Sequence, residues 1–358
     1  MTHADVPFFP RRNIEWLWKS NTDPWSSLEK PKWSHYSDVE NEMIEEAYLE
    51  KKGVVVLDDY HISFDRFIQM SNKNINNQRP VKRMSTDQND ECHLRQERFF
   101  SLPIHPKAPF YLHEDHRVRS FFREETFIRM NFQGWNKKTK VAMVEQAAHG
   151  LIHEGKLIGK QCEAEWMAEK LLKVKDHTIT DIWKCCVCLY TMESFLYKKL
   201  NEIMRLAGSE ESQDIALWKS KISTLGPFAC LLCSTVPAGA ATGKVTGMMH
   251  GTVYRGAHFS NEMIAHFSAA SKENSHQSFE AFTSCSRNRL TAEQFGNTLL
   301  IIELRGLCNV DASAYSPYQR EEEQLLDAGF TFKVKGVKSN PIANKHCIFL
   351  QQTTGLLK

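Results

Sequence analysis

Hydrophobic positions along the chain recur with two different periods. Between positions 138 and 232 they follow mostly helical spacing, as in Leu196, Leu200 and Ile203. Farther along, runs rich in β-branched and aromatic residues predict strands. These runs are Thr298 to Leu304, Phe330 to Val337 and Cys347 to Gln351. The pattern predicts an α+β fold in which a helical part precedes a sheet.

The N-terminal part of the chain, residues 12–84, carries a pattern of its own. Its tryptophans precede an acidic run from Asp38 to Glu46 and a strand-like run from Gly53 to Leu57. For any one tryptophan, the simplest explanation is a small domain that fills its core with indoles. The next segment, 85–118, is polar and then punctuated by prolines, which predicts a linker. The clustered tryptophans are Trp16, Trp18, Trp25 and Trp33.

Composition agrees with a two-domain protein and points to neither nucleic acid nor membrane. The 358 residues exceed the usual size of one domain, and 42% of them are hydrophobic. With 45 basic and 43 acidic side chains, the net charge of +2 gives no argument for a specific nucleic-acid partner. The start of the chain lacks a basic region followed by an apolar core, and no run is long enough to span a bilayer. We expect an intracellular, cytoplasmic protein without a signal peptide or transmembrane segment.

Ten cysteines raise the question of a metal site. The densest groups are Cys185, Cys186 and Cys188, followed by Cys230 and Cys233. Their spacing matches no usual paired-ligand pattern for zinc, and both groups lie in apolar surroundings. We therefore expect buried, reduced thiols and no metal.

Three short segments near the C-terminus could together break the N-glycosidic bond of a nucleotide. They are an arginine segment (254–256), a serine segment (282–286) and a glutamate segment (321–326). Arg255, followed by Gly256, offers a fork of donors for phosphate oxygens at a point where a pyrophosphate could approach the backbone. A strand over the second segment would place the hydroxyls of Ser284 and Ser286 on one face, where they could orient a carboxylate and a ribose. Glu323 is the candidate carboxylate beside the sugar, where positive charge develops as the bond breaks.

The third segment admits two conformations. Ser316 and Pro317, followed by glutamates and Gly329, are typical of a short capped helix. If residues 321–326 are extended instead, Glu321 and Glu323 share one face of a strand. The β-rich runs around this segment favour the sheet.

With these segments in this order, the sequence resembles the arginine-serine-glutamate class of ADP-ribosyltransferases. A helical stretch upstream is similar to that family's helical signature, and the whole resemblance covers residues 119–358. It implies a helical part over 119–245 and a mixed, NAD-binding catalytic sheet over 246–358. The residues that match the helical signature are Tyr190, Tyr197, Asn201 and Arg205.

The resemblance also implies roles for these residues. Arg255, with Gly256, would hold the phosphates of NAD, and Ser284, with Ser286, would brace the ribose and the catalytic acid. Glu323 would stabilise the charge on the ribose through its 2-hydroxyl.

Glu321 would orient and help to deprotonate the attacking guanidinium, which is needed because free arginine has a pKa of ~12.5 or higher. The implied enzyme is an NAD(P)+-protein-arginine ADP-ribosyltransferase that modifies arginine-bearing target proteins. NAD is its co-substrate, and use of NADP stays open.

One position departs from the family, since Cys285 stands where threonine is common. A hydroxyl contact would be lost there or replaced by a weak thiol. Two other functions stay open. One is an NAD glycohydrolase, in which water replaces arginine and against which Glu321 argues only weakly. The other is a catalytically silent ADP-ribose-binding scaffold, for which Cys285 is the only hint in the sequence.

The N-terminal pattern as a whole resembles a WWE domain, a small α+β domain named for two tryptophans and a glutamate. Here these would be Trp18 (or Trp16), Trp33 and Glu45. The resemblance implies binding of poly(ADP-ribose), its iso-ADP-ribose unit or ADP-ribosylated proteins. The residues implied in that pocket are Trp18, Trp33, Tyr60, Gln69 and Arg79.

Overall fold

A computed structural model describes most of the chain. The described residues are 14–85, 111–112, 120–131, 136–233, 250–306, 309–340 and 345–353. They form an N-terminal unit (14–85), a helical layer (120–233) and a C-terminal sheet with two helices (250–353). The predicted α+β class, with helices before the large sheet, is confirmed.

The N-terminal unit is an antiparallel sheet with one helix packed on it. Within residues 14–85 the six strands lie in the order β2-β1-β6-β5-β4-β3. Its core is built on Trp16, Ile44, Ile62 and Val81. The strand bounds are β1 Ile14–Lys19, β2 Trp33–His35, β3 Val54–Val56, β4 Tyr60–Ser63, β5 Ile68–Ser71 and β6 Gln78–Ser85; the helix is α1 Asp38–Leu49.

Helix α1 begins at a capping box, which fixes its first turn. The Ser37 side chain accepts a hydrogen bond from the backbone of Glu40, and the Glu40 side chain accepts one from the backbone of Ser37. The acidic run from Asp38 to Glu46 therefore lies in this helix, with Asp38 in its first turn.

The helical layer accounts for the apolar periodicity between positions 138 and 232. The predicted buried thiols are found in its core, where Cys185, Cys186, Cys188 and Cys230 are inaccessible to solvent. None of the described helices combines the length and apolar content needed to cross a bilayer. The helices are α2 Phe121–Arg129, α3 Lys137–Leu157, α4 Gln161–Lys173, α5 Ile179–Thr191, α6 Phe195–Leu206, α7 Ser212–Ser220 and α8 Ile222–Leu232.

The C-terminal sheet is mixed. Among the described residues its nine strands lie in the order β12-β13-β10-β8-β11-β15-β14-β9-β7, and only the pairing of β11 with β15 is parallel. The elements are β7 Tyr111–Leu112, β8 Gly251–Ala257, α9 Asn261–Glu273, β9 His276–Phe279, β10 Thr283–Ser286, α10 Arg289–Glu293, β11 Thr298–Leu304, β12 Asn309–Asp311, β13 Glu323–Leu326, β14 Phe330–Asn340 and β15 Lys345–Gln352.

The three predicted C-terminal strands are all present. Most of the predicted linker over 85–118 lies outside the described residues, as does the predicted boundary near 245. The short strand β7, which falls within that linker, joins the edge of the large sheet by pairing with β9. The domain limits 12–84 and 119–358 stay a prediction.

Gly256 allows a close approach between β8 and α10. A Cβ atom at this position would lie 2.1 Å from the carbonyl oxygen of Ala292 and 2.5 Å from that of Phe295. Both neighbours are backbone atoms and cannot rotate away. This contact holds α10, which follows strand β10, against β8.

Carboxylates of the N-terminal unit bind the helical layer. Helix α4 has no side-chain cap of its own, and Asp58 accepts hydrogen bonds from the amides of Cys162 (2.7 Å) and Glu163 (3.3 Å) at its start. The Glu163 carboxylate accepts in turn from the amide of Phe195 at 3.0 Å, at the start of α6. The N-terminal unit thus supplies acceptors that the helices lack.

The substitution Glu163→Gln should remove a pH-dependent loss of stability. Burial raises the pKa of the Glu163 carboxyl to about 7, whereas in an unfolded chain it is ~4.3. Between these values the unfolded chain releases a proton that the folded protein keeps, so this group lowers stability as pH rises. The full effect is about 4 kcal/mol, and it should be absent in the variant, which keeps an oxygen acceptor for Phe195.

The measurement is the free energy of unfolding in urea for wild type and variant at pH values of about 4, 6 and 8. The difference should grow with pH in favour of the variant. Glu165→Gln, at an exposed position of the same helix, is the control and should show no such growth. A difference for Glu163→Gln that is constant with pH would contradict the assignment.

The substitution Gly256→Ala should destabilise the protein by about 1–3 kcal/mol because a methyl group cannot fit against two carbonyl oxygens. The control is Gly336→Ala in β14, where a Cβ meets nothing within 4 Å. Urea denaturation should show a change within about 0.5 kcal/mol for the control. Equal stability of the two variants would disprove the packing role of Gly256.

Candidate active site

The serine and glutamate segments meet as neighbouring strands. In the antiparallel pair of β10 and β13, Ser286 lies opposite Glu323 and Ser284 lies opposite Leu325. The Ser286 hydroxyl donates a hydrogen bond of 2.7 Å to the backbone carbonyl of Glu321. One serine thus fixes the position of both glutamates.

The acidic segment combines the two conformations that the sequence left open. A single 3-10 turn spans Gln319–Glu321, Glu322 adopts a left-handed conformation with φ 46°, and β13 starts at Glu323. Ser316 does not begin a longer helix; its hydroxyl accepts from the amide of Tyr318 at 3.1 Å. The predicted shared face of Glu321 and Glu323 is therefore not produced by one continuous strand.

With the left-handed Glu322 between them, the two outer glutamates are still both buried. Glu321 and Glu323 are buried, with 1% and 0% of their surface exposed, whereas the side chain of Glu322 is half exposed. The two outer glutamates of the run turn inward and the middle one faces solvent. Two carboxylates are thereby presented next to the serine strand.

Arg255 lies inside strand β8. Its guanidinium donates a hydrogen bond of 2.7 Å to the carbonyl oxygen of Ser284, so the arginine and serine segments also meet. Gly256 contacts the backbone of α10, and this contact accounts for the glycine without a phosphate. A cofactor contact of Gly256 stays a prediction.

A second guanidinium lies near Arg255. Burial, and then the positive charge of Arg255, lower the pKa of Arg205 to about 10. Arg205 remains a cation at neutral pH, so an anion beside the two side chains would relieve their repulsion. The helical signature contains Arg205, but the sequence interpretation gave it no role. Its signal was its helical spacing from the buried residues Tyr197 and Asn201.

The other signature residues join the helices to the site. The Asn201 side chain donates a hydrogen bond of 2.7 Å to the hydroxyl of Tyr190 across α5 and α6. The Tyr190 ring meets that of Phe282, just before β10, edge-on at 5.8 Å. These contacts attach the start of strand β10 to the helical layer.

Cys285 lies on the other face of β10. Its thiol is buried in a hydrophobic cluster with Val253, Leu300 and Leu326. Burial raises the pKa of the Cys285 thiol to about 12, while the nearby charge of Arg255 lowers it and that of Glu323 raises it. The departure from threonine therefore falls on the core side of the strand and leaves the face with Ser284 and Ser286 unchanged.

Four of the five residues predicted for the N-terminal pocket share one face of its sheet. Gln69 lies opposite Arg79, and the strand registers bring Tyr60 and Trp18 to the same side. Trp33 pairs with Lys19 and so lies on the opposite face, where the Lys82 ammonium stands 4.4 Å from the ring centre. The structure separates Trp33 from the other four.

The polar groups on that face are held in place by neighbours. The Tyr36 hydroxyl donates to the Gln69 side chain at 2.5 Å, and burial raises the pKa of Tyr36, which keeps it a donor. The Arg79 guanidinium donates to the carbonyl oxygens of Lys19 and Asn21 and lies over the Trp18 ring at 5.4 Å. Both carbonyl groups belong to the segment between Trp18 and Trp33, so these hydrogen bonds attach that segment to the same face of the sheet.

Trp16 and Trp18 were alternatives for the first tryptophan of the signature. Trp16 is fully buried, and its indole donates a hydrogen bond of 2.8 Å to Glu45. Arg83 donates two more to the same carboxylate, at 2.9 and 2.6 Å. Trp16 is therefore the tryptophan that pairs with Glu45.

Comparison with protein families agrees with both parts of the chain. Residues 155–354, more than half of the chain, match the model of the NAD:arginine ADP-ribosyltransferase family. Residues 14–83 match the model of the WWE domain. A search of curated proteins gives no significant match.

Solved structures show distant likenesses. The ADP-ribosyltransferase HopU1 of Pseudomonas syringae is 20% identical, with 67% of this chain and 100% of that chain covered and a TM-score of 0.39. The type III effector XopAI of Xanthomonas axonopodis is 13% identical, with 70% and 98% covered and a TM-score of 0.43. Exoenzyme S of Pseudomonas aeruginosa, solved with human 14-3-3 protein beta and Carba-NAD, is 18% identical, with 58% and 88% covered and a TM-score of 0.35.

The order of the arginine, serine and glutamate segments, their meeting in one mixed sheet and the family match over most of that region lead to the same conclusion. The chain belongs to the NAD:arginine ADP-ribosyltransferase family, uses NAD as the donor of ADP-ribose, and carries an N-terminal WWE domain.

Proposed function

We propose that Glu323 is the catalytic carboxylate of the transfer. NAD supplies the ADP-ribosyl group with nicotinamide as the leaving group. The register with Ser286 places Glu323 at the end of two paired strands, fully buried. A carboxylate there can accept a hydrogen bond from a ribose hydroxyl that strengthens as positive charge develops on the sugar. The observation that carries this proposal is the joint attachment of both glutamates to Ser286.

Arg255 and Arg205 are proposed to bind the diphosphate. Two neighbouring guanidiniums offer paired donors, and the diphosphate would neutralise their mutual repulsion. Arg255 also donates to the Ser284 carbonyl, so its position is coupled to the serine strand. Ser284 and Ser286 are proposed to brace the ribose and the acidic segment, and Gly256 stays a candidate cofactor contact.

Glu321 is proposed to receive the acceptor arginine. The 3-10 turn and the left-handed Glu322 leave its side chain buried, as that of Glu323 is. A carboxylate can pair with a guanidinium in bidentate fashion and take up its proton. Transfer to arginine would then need Glu321, whereas hydrolysis of NAD by water would depend on it less.

The WWE domain is proposed to bind poly(ADP-ribose), its iso-ADP-ribose unit or ADP-ribosylated proteins. Trp18 and Tyr60 offer rings for stacking, Gln69 an amide for adenine, and Arg79 a cation for phosphate. All four lie on one face of the sheet. The domain would bring the enzyme to sites that already carry the modification.

Glutamate substitutions should separate the two chemical roles. With radiolabelled NAD and agmatine as a free guanidino acceptor, Glu323→Gln should lower both nicotinamide release and transfer by about 100-fold or more. Glu321→Gln should lower transfer by about 100-fold and keep a larger share of NAD hydrolysis. The same assay with NADP would decide whether it replaces NAD.

The matched control is Glu322→Gln, which changes the exposed middle residue of the run and should keep both activities. Free ADP-ribose without labelled acceptor from the wild type would favour the glycohydrolase. Absence of any turnover by the wild type would favour the silent scaffold.

Binding to the WWE domain can be tested by calorimetry with iso-ADP-ribose. Tyr60→Ala should weaken binding by about 1–3 kcal/mol through the loss of stacking. Trp33→Ala should leave the affinity close to that of the wild type because its ring lies on the other face of the sheet. Failure of the wild-type chain to bind would refute the reader function, and an equal loss in both variants would refute the assignment of the face.

A further inference from the structure

Two hydrogen bonds from the transferase converge on one carboxylate of the WWE domain. The hydroxyl of Tyr318 donates to Asp38 Oδ1 at 2.7 Å, and the amide of Glu193 donates to Asp38 Oδ2 at 2.6 Å. Asp38 is buried, with 2% of its surface exposed. Both oxygens of this carboxylate are therefore engaged by the other domain.

Asp38 is itself held firmly. It stands in the first turn of α1, whose start is fixed by the capping box of Ser37 and Glu40. Its own amide donates to the carbonyl oxygen of Glu193 at 3.2 Å. The carboxylate thus has a defined position relative to the connection between α5 and α6.

Tyr318 connects Asp38 to the acceptor glutamate. Its carbonyl oxygen accepts a hydrogen bond of 3.0 Å from the amide of Glu321, so the two residues belong to one turn. The carbonyl of Glu321 is bound on its other side by the Ser286 hydroxyl. One end of this turn is therefore held by the catalytic sheet and the other by the WWE domain.

We infer that Asp38 is a positioning residue for transfer to arginine: through Tyr318, the WWE domain holds the turn that carries Glu321. The inference rests on the proposed role of Glu321. Asp38 contacts neither NAD nor the acceptor. It acts by fixing the backbone from which the acceptor-binding carboxylate projects.

This arrangement has a selective consequence. Glu323 begins a strand and is fixed by its register with Ser286, independently of Tyr318. Loss of the contact between Asp38 and Tyr318 should therefore weaken the use of the acceptor and spare the cleavage of NAD. A contact that only holds the domains together would not distinguish between the two.

Glu46 provides a matched comparison at the same domain interface. Its two carboxylate oxygens accept from the indole of Trp166, at 2.9 Å, and from the ammonium of Lys170. Like Asp38, it is an acidic residue of α1 that binds two donors of the transferase. Unlike Asp38, it contacts α4 and not the turn of Glu321.

The test compares Asp38→Asn, Tyr318→Phe, the double variant and Glu46→Gln in the full chain. For each we would measure kcat and KM for agmatine and the rate of NAD hydrolysis without acceptor. Asp38→Asn and Tyr318→Phe should each lower kcat/KM for agmatine about tenfold, with NAD hydrolysis within about twofold of wild type. Asn at position 38 offers one oxygen acceptor to two donors, the Tyr318 hydroxyl and the Glu193 amide, so the contact with Tyr318 is weakened or lost. The double variant should be no less active than the less active of the two single variants, because both substitutions act on this one contact.

Three results would overturn the inference. Equal losses in transfer and hydrolysis would make Asp38 a general structural contact. An equal selective loss in Glu46→Gln would assign the effect to docking of the domain as a whole. Unchanged transfer in both single variants would show that the turn needs no support from Asp38.

Glu321→Gln in the same series separates this inference from the proposed function. If Glu321→Gln lowers transfer and the Asp38 and Tyr318 variants do not, the positioning role alone fails. If Glu321→Gln keeps full transfer, the proposed role of Glu321 fails, and the inference with it.

Discussion

The geometry of the site depends on the end of one strand, at Ser286. Its backbone pairs with Glu323, its hydroxyl donates to the carbonyl of Glu321, and the same hydroxyl accepts from the amide of Asn288 at the turn into α10. Ser286 is fully buried, so these bonds do not compete with water. They require the acidic segment to leave the strand direction just before Glu323, which explains the left-handed residue there. Ser286 therefore has a structural role, because it positions both the acidic segment and the turn into α10.

Charge explains why the site is suited to a diphosphate nucleotide. The site contains two buried carboxylates, of Glu321 and Glu323, and two guanidiniums close to each other, of Arg205 and Arg255. Buried like charges oppose each other unless a partner of opposite sign is present. In the proposed mechanism the diphosphate would lie beside the guanidiniums and the sugar beside the carboxylates. Positive charge develops on the sugar only as the glycosidic bond breaks, so carboxylates beside it would bind the reacting state more tightly than the ground state.

Sequence patterns predicted the elements of this site better than their contacts. Strand runs such as Thr298 to Leu304 were correct because side-chain alternation and turn residues are local properties. Glu322 could not be identified as left-handed, since the conformation is imposed by bonds from Ser286 and Tyr318. Cys285 was a departure of unknown effect until the strand register placed its thiol in the core. Trp33 was grouped with the other four pocket residues because a family resemblance along the sequence does not show which face of a sheet a residue occupies.

The contact of Asp38 with Tyr318 joins residues 280 positions apart, and no local pattern predicts it. An acidic helix such as α1 usually faces water. In this protein Asp38 and Glu46 of α1, and Asp58 nearby, instead accept hydrogen bonds from the transferase. The donors are backbone amides, an indole and a hydroxyl. Hydrogen bonds to carboxylates have narrow preferred distances and angles, so several of them together define an orientation more strictly than apolar contact does. A ligand held by the WWE domain would then be presented in one direction, and not over the volume that a flexible tether would sweep. The same bonds also reach the turn of Glu321, so under the proposed mechanism one polar interface would serve both recognition and the placement of the glutamate that receives the acceptor arginine.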